Sequence, residues 1–310
     1  MTTTADHLLT DELLLTDAGL ETVLVFHEGV ELPFFAAFPL LDDAEGRAML
    51  RRYFAAFLSL ADERGTGFVL ETPTWRANSE WGERLGYSVE DLRRVNLDAV
   101  DLARELTRSW TGAGRVLVSG AIGPRGDGYV PGEMMTSVEA AAYHRPQVQA
   151  FADAGADLVT AFTLSYVDEA VGIVAAAAEA GIPSVIGFTV ETDGRLPSGA
   201  PLGSAIDDVD AATGSAAAWF MVNCAHPDHI TSGLGGDDEP WQSRIGALRA
   251  NASRQSHAEL DEAEVLDDGD PDELARGYVE LATRFPAVRV VGGCCGTDLR
   301  HVAAAAGAWG

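Results

Sequence analysis

The 310-residue chain carries three cysteines, and their positions are where chemistry is easiest to read. Two are adjacent, Cys294 and Cys295, in the run VRVVGGCCGT at 288–297; the third, Cys224, closes the run WFMVNC at 219–224. Each run reads as a buried strand, and the glycines mark a strand end where backbone passes close to something else. In a barrel of parallel strands such ends converge on one mouth, where barrel chemistry is done. Three thiolates meeting there would leave a tetrahedral metal one open position, the arrangement of a catalytic zinc site. Buried, inert thiols are the other reading of the same residues. No CxxC pair with finger-like spacing is present, which disfavours a structural zinc module.

Four more polar residues close strand-like runs: Asp17, Glu71, Asn223 and Asn251. A lone acid at a strand end is ordinarily a cap or a loop brace. Polar ends that converge with thiols make a candidate site instead. His226, just beyond Cys224, is a ligand, a neighbour of the ligands or a helix N-terminal residue. A non-ligand role is favoured, because three thiolates already suffice.

These residues need strands to carry them. Apolar runs fall at 13–17, 67–71, 115–119, 157–162, 183–189, 219–224, 245–251 and 288–292. Helical stretches alternate with them. Residues 42–65 place Met49/Leu50, Tyr53/Phe54, Phe57/Leu58 and Ala61 on one face between acidic caps and a stopping glycine. The same pattern holds for 89–106, 137–154, 166–180 (ended by Gly181 before a strand) and 297–308; another helix opens at Asp270 with a proline in its first turn. Strands alternating with helices predict a (β/α)8 TIM barrel in a single domain over 1–310, with a doubly wound open sheet as the alternative. Long connections at 72–87, 120–135, 190–203 and 252–269 all follow strand C-termini. They are expected to crowd the mouth as water-excluding lids, with Trp75, Trp81, Tyr87 and Tyr129 among their aromatics.

Composition narrows the partners. The formal charge is −27, with 48 acidic against 21 basic residues. Such a surface repels phosphate backbones and anionic lipids, which argues against nucleic-acid and membrane binding and for small-molecule substrates. Salt adaptation and plain solubility both account for the acidity. No apolar run is long enough for a transmembrane helix, and the N-terminus shows no basic region followed by an apolar core, so no signal peptide is read. An odd, small number of cysteines suits free or metal-bound thiols in a reducing, cytoplasmic setting. No exposed helix advertises an oligomer interface.

VNCAHP at 222–227 taken with GGCCGT at 292–297 resembles the homocysteine S-methyltransferase family, and TDAGLET at 16–22 is similar to the family's first-strand end. The resemblance runs through nearly the whole chain. It implies a barrel with Zn2+ held by Cys224, Cys294 and Cys295, and transfer of a methyl group from a small activated donor, S-methylmethionine foremost, to the thiol of homocysteine. It also implies that Asp17, the backbone at Gly19, and Asn251 hold the amino-acid end of the substrate, with Asn223 supporting that geometry on the zinc side. One position departs from the family: Phe162 stands where a glutamate resembling an ammonium clamp is usual, and Thr163 follows it. Glu71 is the candidate to take over the ammonium contact.

Overall fold

Short β-branched and apolar runs, each too short for a helix and each closed by a turn residue, become the staves of a barrel. In the computed structural model, which describes residues 8, 10–236, 239–263 and 265–309, the strands are β1 (Leu14–Thr16), β2 (Gly67–Glu71), β3 (Val116–Ile122), β4 (Leu158–Leu164), β5 (Ser184–Phe188), β6 (Trp219–Asn223), β7 (Ile245–Ala250) and β8 (Val290–Gly293). All neighbouring pairs are parallel, and β8 pairs back onto β1, so the barrel is closed in chain order. The (β/α)8 expectation holds; the open sheet is excluded because no strand edge is left unpaired. The stretch 1–7 and residue 9, part of the N-terminus read for a leader, lie outside the described residues.

Helices return the chain from each strand: α1 (Ala44–Arg64), α2 (Val89–Arg108), α3 (Ser137–Asp153), α4 (Val167–Ala180), α5 (Leu202–Thr213), α6 (Pro227–Ser232), α7 (Pro271–Arg284) and α8 (Leu299–Ala308). Their ends follow local chemistry. Asp43 caps α1 by accepting from Gly46 N–H, and Gly65 ends it in the left-handed region at φ 67°. Ser88 and Asp91 form a reciprocal capping box at α2, and Thr136 and Glu139 do the same at α3. None of the described helices is long and apolar enough to cross a membrane.

Strand residues alternate between two cores. Leu14, Val69, Leu117, Leu158, Val185, Trp219, Met221, Ala247 and Val290 fill the barrel, while Leu15, Phe68, Leu70, Val118, Val159 and Ile186 face the helices. Of the second group, Leu15, Phe68 and Leu70 lie on β1 and β2, the strands that α1 covers with its buried stripe of Leu50, Tyr53, Phe54 and Phe57. Each such large side chain contributes about 1.5–3 kcal/mol by leaving water. Removing Phe54, 1% exposed, would cost about 3–5 kcal/mol through the cavity it leaves.

The strand ends differ from expectation in two places that matter. β3 continues to Ile122 and β4 to Leu164, so residues first read as loop are still paired. The β4 register then slips between Ala161 and Leu164, and Thr163 there adopts φ 60°.

Candidate active site

The three thiols, delivered by two strands that lie on either side of β7, come together. Cys224 Sγ is 2.7 Å from Cys294 Sγ and 3.3 Å from Cys295 Sγ, and the three sulfurs lie within 4.8 Å of one another. Cys224 follows β6 in the left-handed region, at φ 55°. A non-glycine residue held there is strained, and its surroundings hold it. His257 donates from Nε2 to the Cys224 carbonyl at 2.9 Å, Thr189 donates to the same oxygen at 3.3 Å, and Asn251 N–H binds the next carbonyl, Ala225.

Glycine makes the second approach possible. A Cβ on Gly19 would stand 2.6 Å from the Cys294 carbonyl, so only glycine lets the β1 loop pack on the thiol turn. Gly292 and Gly293 of β8 are likewise closed in by Thr16 and Thr297.

Tyr129, from the β3 loop, covers the cluster. Its hydroxyl lies 3.1 Å from Cys224 Sγ and 3.5 Å from Cys295 Sγ, while its ring stacks on His257 at 4.0 Å. Burial, and then the adjacent sulfurs, push the hydroxyl well above its usual range, so it stays protonated. Hydrogen bonds from Cys224 and Cys295 pull the Cys294 thiol well down, and the same contacts push Cys295 up. Three sulfurs at contact distance, that of Cys224 buried and those of Cys294 and Cys295 half-buried, share their protons in this way because the protein alone cannot carry three thiolates so close together; full ionisation needs a cation. A tetrahedral ion with bonds of about 2.3 Å spaces its sulfurs about 3.8 Å apart, the scale of this triangle. The donor set therefore fits a divalent metal with sulfur affinity, and a position remains for one further ligand.

The cluster opens on a cavity of about 660 Å³. Asp17, Gly19, Glu71, Asn251, Cys224, Cys294 and Cys295 all line it, as does Phe162. Asn223 does not line it: it is fully buried, and its carboxamide is spent on Thr163, accepting from the backbone N–H at 2.9 Å and donating to the hydroxyl at 2.8 Å. That exchange holds the left-handed turn at the end of β4, and Asn223 Nδ2 also reaches 3.8 Å from Cys294 Sγ. His226 lies outside the thiol cluster and caps α6, accepting from Asp228 N–H at 3.2 Å; burial lowers its pKa to about 4. Of the long connections, those after β2, β3 and β7 line the cavity. The one after β5 contributes no lining residue; its Glu191 braces His257 Nδ1 at 3.0 Å instead. The β1 loop, not expected as a lid, supplies Phe26, Leu32, Phe34 and Phe35.

Two residues with large electrostatic weight were not singled out from the sequence. Arg249, inside the apolar run of β7, is 5% exposed and pairs with Asp17 at 2.9 Å. It also donates to Thr16 Oγ1 and to the carbonyls of Gly293 and Ala18, and its guanidinium lies 5.1 Å over the Phe162 ring. Burial pushes the Asp17 carboxyl up and the guanidinium opposes it; burial likewise works against Arg249, but Asp17 and Glu71 outweigh it and raise its pKa. With Arg249 charged and in contact, the pair is ionic. Glu71 is short of partners: Oε2 has none, and burial raises its pKa to about 7 against the pull of Arg249. The second residue, Arg76, belongs to the β2 loop. A charged residue inside an apolar strand was the available signal for Arg249; Arg76 had none.

The family model described as homocysteine S-methyltransferase matches residues 14–309. Among solved structures, the metallated form of the homocysteine methyltransferase MmuM from Escherichia coli superposes with a TM-score of 0.73 at 22% identity, over 96% of each chain. Its oxidized form gives 0.72 at 22% identity over 94% of each chain. At that identity the likeness is one of fold. No curated protein sequence matches the chain significantly.

Proposed function

Since the chain belongs to the homocysteine S-methyltransferase family, we propose that it transfers a methyl group from a small activated donor, S-methylmethionine foremost, to the thiol of homocysteine, giving methionine, with zinc held by Cys224, Cys294 and Cys295. The observation that carries this reading is the meeting of the three sulfurs at the floor of a cavity sized for two small substrates.

Zinc at that position would favour the thiolate of an incoming sulfur, which as a free thiol is mostly protonated at neutral pH. Every other task falls to the chain. Tyr129 and Phe162, with Trp75 and Phe34 further out, wall the cavity and keep water from the reacting sulfur. Asn223 fixes the β4 turn beside Cys294, so the cluster is held before substrate arrives. Asn251 and the backbone at Gly19 stand beside the thiols to hold the amino-acid end. Asp17 is occupied by Arg249 and by the Tyr53 hydroxyl at 3.1 Å, so its part is to fix that wall of the site. Glu71, with its unpartnered oxygen, is the acceptor for the substrate ammonium. No general acid is required, because a sulfonium donor that gives up its methyl leaves as a neutral thioether; the one proton released is that of the incoming thiol, which passes to solvent as the thiol binds as thiolate.

Phe162 under the Arg249 guanidinium replaces the acid usual in the family, and this one feature favours a second reading, methylation of a related thiol other than homocysteine. A small, odd number of cysteines gathered as one candidate metal set fits a reducing, cytoplasmic setting. The test is methionine formation from homocysteine with S-methylmethionine, betaine or a methylfolate. Turnover is expected with S-methylmethionine and less with the others; no methionine from any donor would overturn the reading.

A further inference from the structure

Trp75 and Arg76 stand side by side on the β2 loop, line the cavity, and have donors that nothing in the protein satisfies. Trp75 Nε1 and Arg76 Nε are both buried without a hydrogen-bond partner, and among the described residues Arg76 makes no ion pair. That is unusual in a chain with 48 acidic against 21 basic residues. Among the described residues Arg64, Arg195 and Arg289 also make no ion pair but donate to backbone carbonyls, and Arg108 and Arg276 are exposed on helices, where water serves. A half-buried guanidinium offers a fork of N–H donors that matches a carboxylate, and leaving such donors empty is costly.

The loop is built to hold these two side chains still. Thr74 Oγ1 donates to the Ala121 carbonyl at 2.8 Å, Gln147 donates to the Thr74 carbonyl at 3.0 Å, and Asn96 donates to the Ala77 carbonyl at 3.0 Å. Gly123 packs so closely on Trp75 that a Cβ there would collide with its carbonyl and ring. Arg76 in turn lies 3.7 Å from the centroid of Trp81 and 4.6 Å from that of Trp75. Arg84 is also placed over the Trp81 ring, at 4.5 Å.

The aromatic surface is thus already covered by the protein's own cations. A cationic substrate group cannot use the Trp81 face that Arg76 covers. The acids near Arg76 do not neutralise it by contact: Asp127 accepts from the backbone N–H groups of Tyr129 and Val130, and burial raises the Glu21 pKa to about 7.

We propose that the Arg76 guanidinium, held in place against Trp75 and Trp81, forms a carboxylate site for the methyl donor, so that the donor is recognised by its anionic end and not by its cationic centre alone. This deepens the methyltransferase reading and rests on it for the word donor. The donor is assigned to this site because Glu71, Gly19 and Asn251, at the ends of β2, β1 and β7, are taken by the thiol substrate, while Arg76 belongs to the β2 loop and packs on Trp81, itself packed on the exposed Phe34.

The experiment compares S-methylmethionine with its methyl ester, by calorimetric binding to the zinc-loaded protein and by KM. Wild-type protein is expected to prefer the acid by about tenfold or more, as a charged hydrogen bond implies. Arg76→Gln should abolish that preference, Arg76→Lys should restore part of it, and Trp75→Phe should reduce it. Zinc content and the KM for homocysteine should stay unchanged in all three. Equal binding of acid and ester by wild type would overturn the proposal, as would a raised homocysteine KM with unchanged donor KM in Arg76→Gln. If wild-type protein transfers no methyl group, the functional reading fails by itself. An acid-over-ester preference that needs Arg76 would still uphold the carboxylate site, and its absence would overturn it.

Discussion

Arg249 and Asp17 form an ion pair across the closing seam of the barrel, Nη1 to Oδ1 at 2.9 Å, with both side chains almost sealed from solvent. Arg249 starts on β7 and reaches over β8 to β1. It sits in register with Gly292 and donates to the Gly293 carbonyl as it crosses. A Cβ on Gly292 would collide with Thr16 and the Asp17 carbonyl, so glycine there lets β8 pack closely on the end of β1 that Arg249 reaches.

Arg249→Met should destabilise the protein by about 3–5 kcal/mol, because Asp17 is left buried without its cation. Urea denaturation checks this. The double change Asp17→Asn with Arg249→Met should lose less than Arg249→Met alone; an equal or larger loss would show that the pair is not the source.

Glu71 gives a pH dependence with a definite sign. Burial raises its pKa from 4.5 to about 7, so the folded protein prefers the protonated form. Its contribution to stability is complete below pH 4.5 and is lost as the pH rises through about 7. The difference in stability between Glu71→Gln and wild type should therefore grow in favour of Gln by about 3 kcal/mol between pH 4 and pH 8.5. Glu21, raised in the same direction, stays in both proteins and cancels. At pH 8, Glu71→Gln should also weaken binding of the amino-acid substrate while zinc content is unchanged; retained substrate affinity would remove Glu71 from the ammonium contact.

Asn223→Ala removes both hydrogen bonds that hold Thr163 at φ 60°. A stability loss of about 1–3 kcal/mol is expected from the buried groups left unpaired. Because the β4 turn abuts Cys294, kcat should fall with metal stoichiometry retained. Unchanged kcat would confine Asn223 to a folding role.

The barrel was readable because its strands are apolar runs with β-branched residues and its helices carry caps and stopping glycines that act locally, such as Asp43 and Gly65 on α1. The thiol cluster was readable because a parallel barrel forces strand ends together however far apart they lie in sequence. What stayed hidden depends on side-chain reach. Nothing local says that Arg249 crosses β8 to Asp17, that the Tyr129 hydroxyl of a glycine-rich loop returns to the sulfurs, or that Phe26, Phe34 and Phe35 of the β1 connection turn in to wall the cavity. The connection after β5 looked equal to the others by length and composition, yet it braces His257 and leaves the cavity to its neighbours.

The central claim is that Cys224, Cys294 and Cys295 bind one metal ion together, and metal content measures it most directly. Purified protein loaded with zinc and dialysed should retain one ion per chain by elemental analysis. Cys224→Ser should lose it at a chelator concentration that leaves wild type loaded, while far-ultraviolet circular dichroism shows the barrel intact. Wild-type protein that holds no zinc, or a Cys224→Ser protein that holds it as tightly as wild type, would contradict the account.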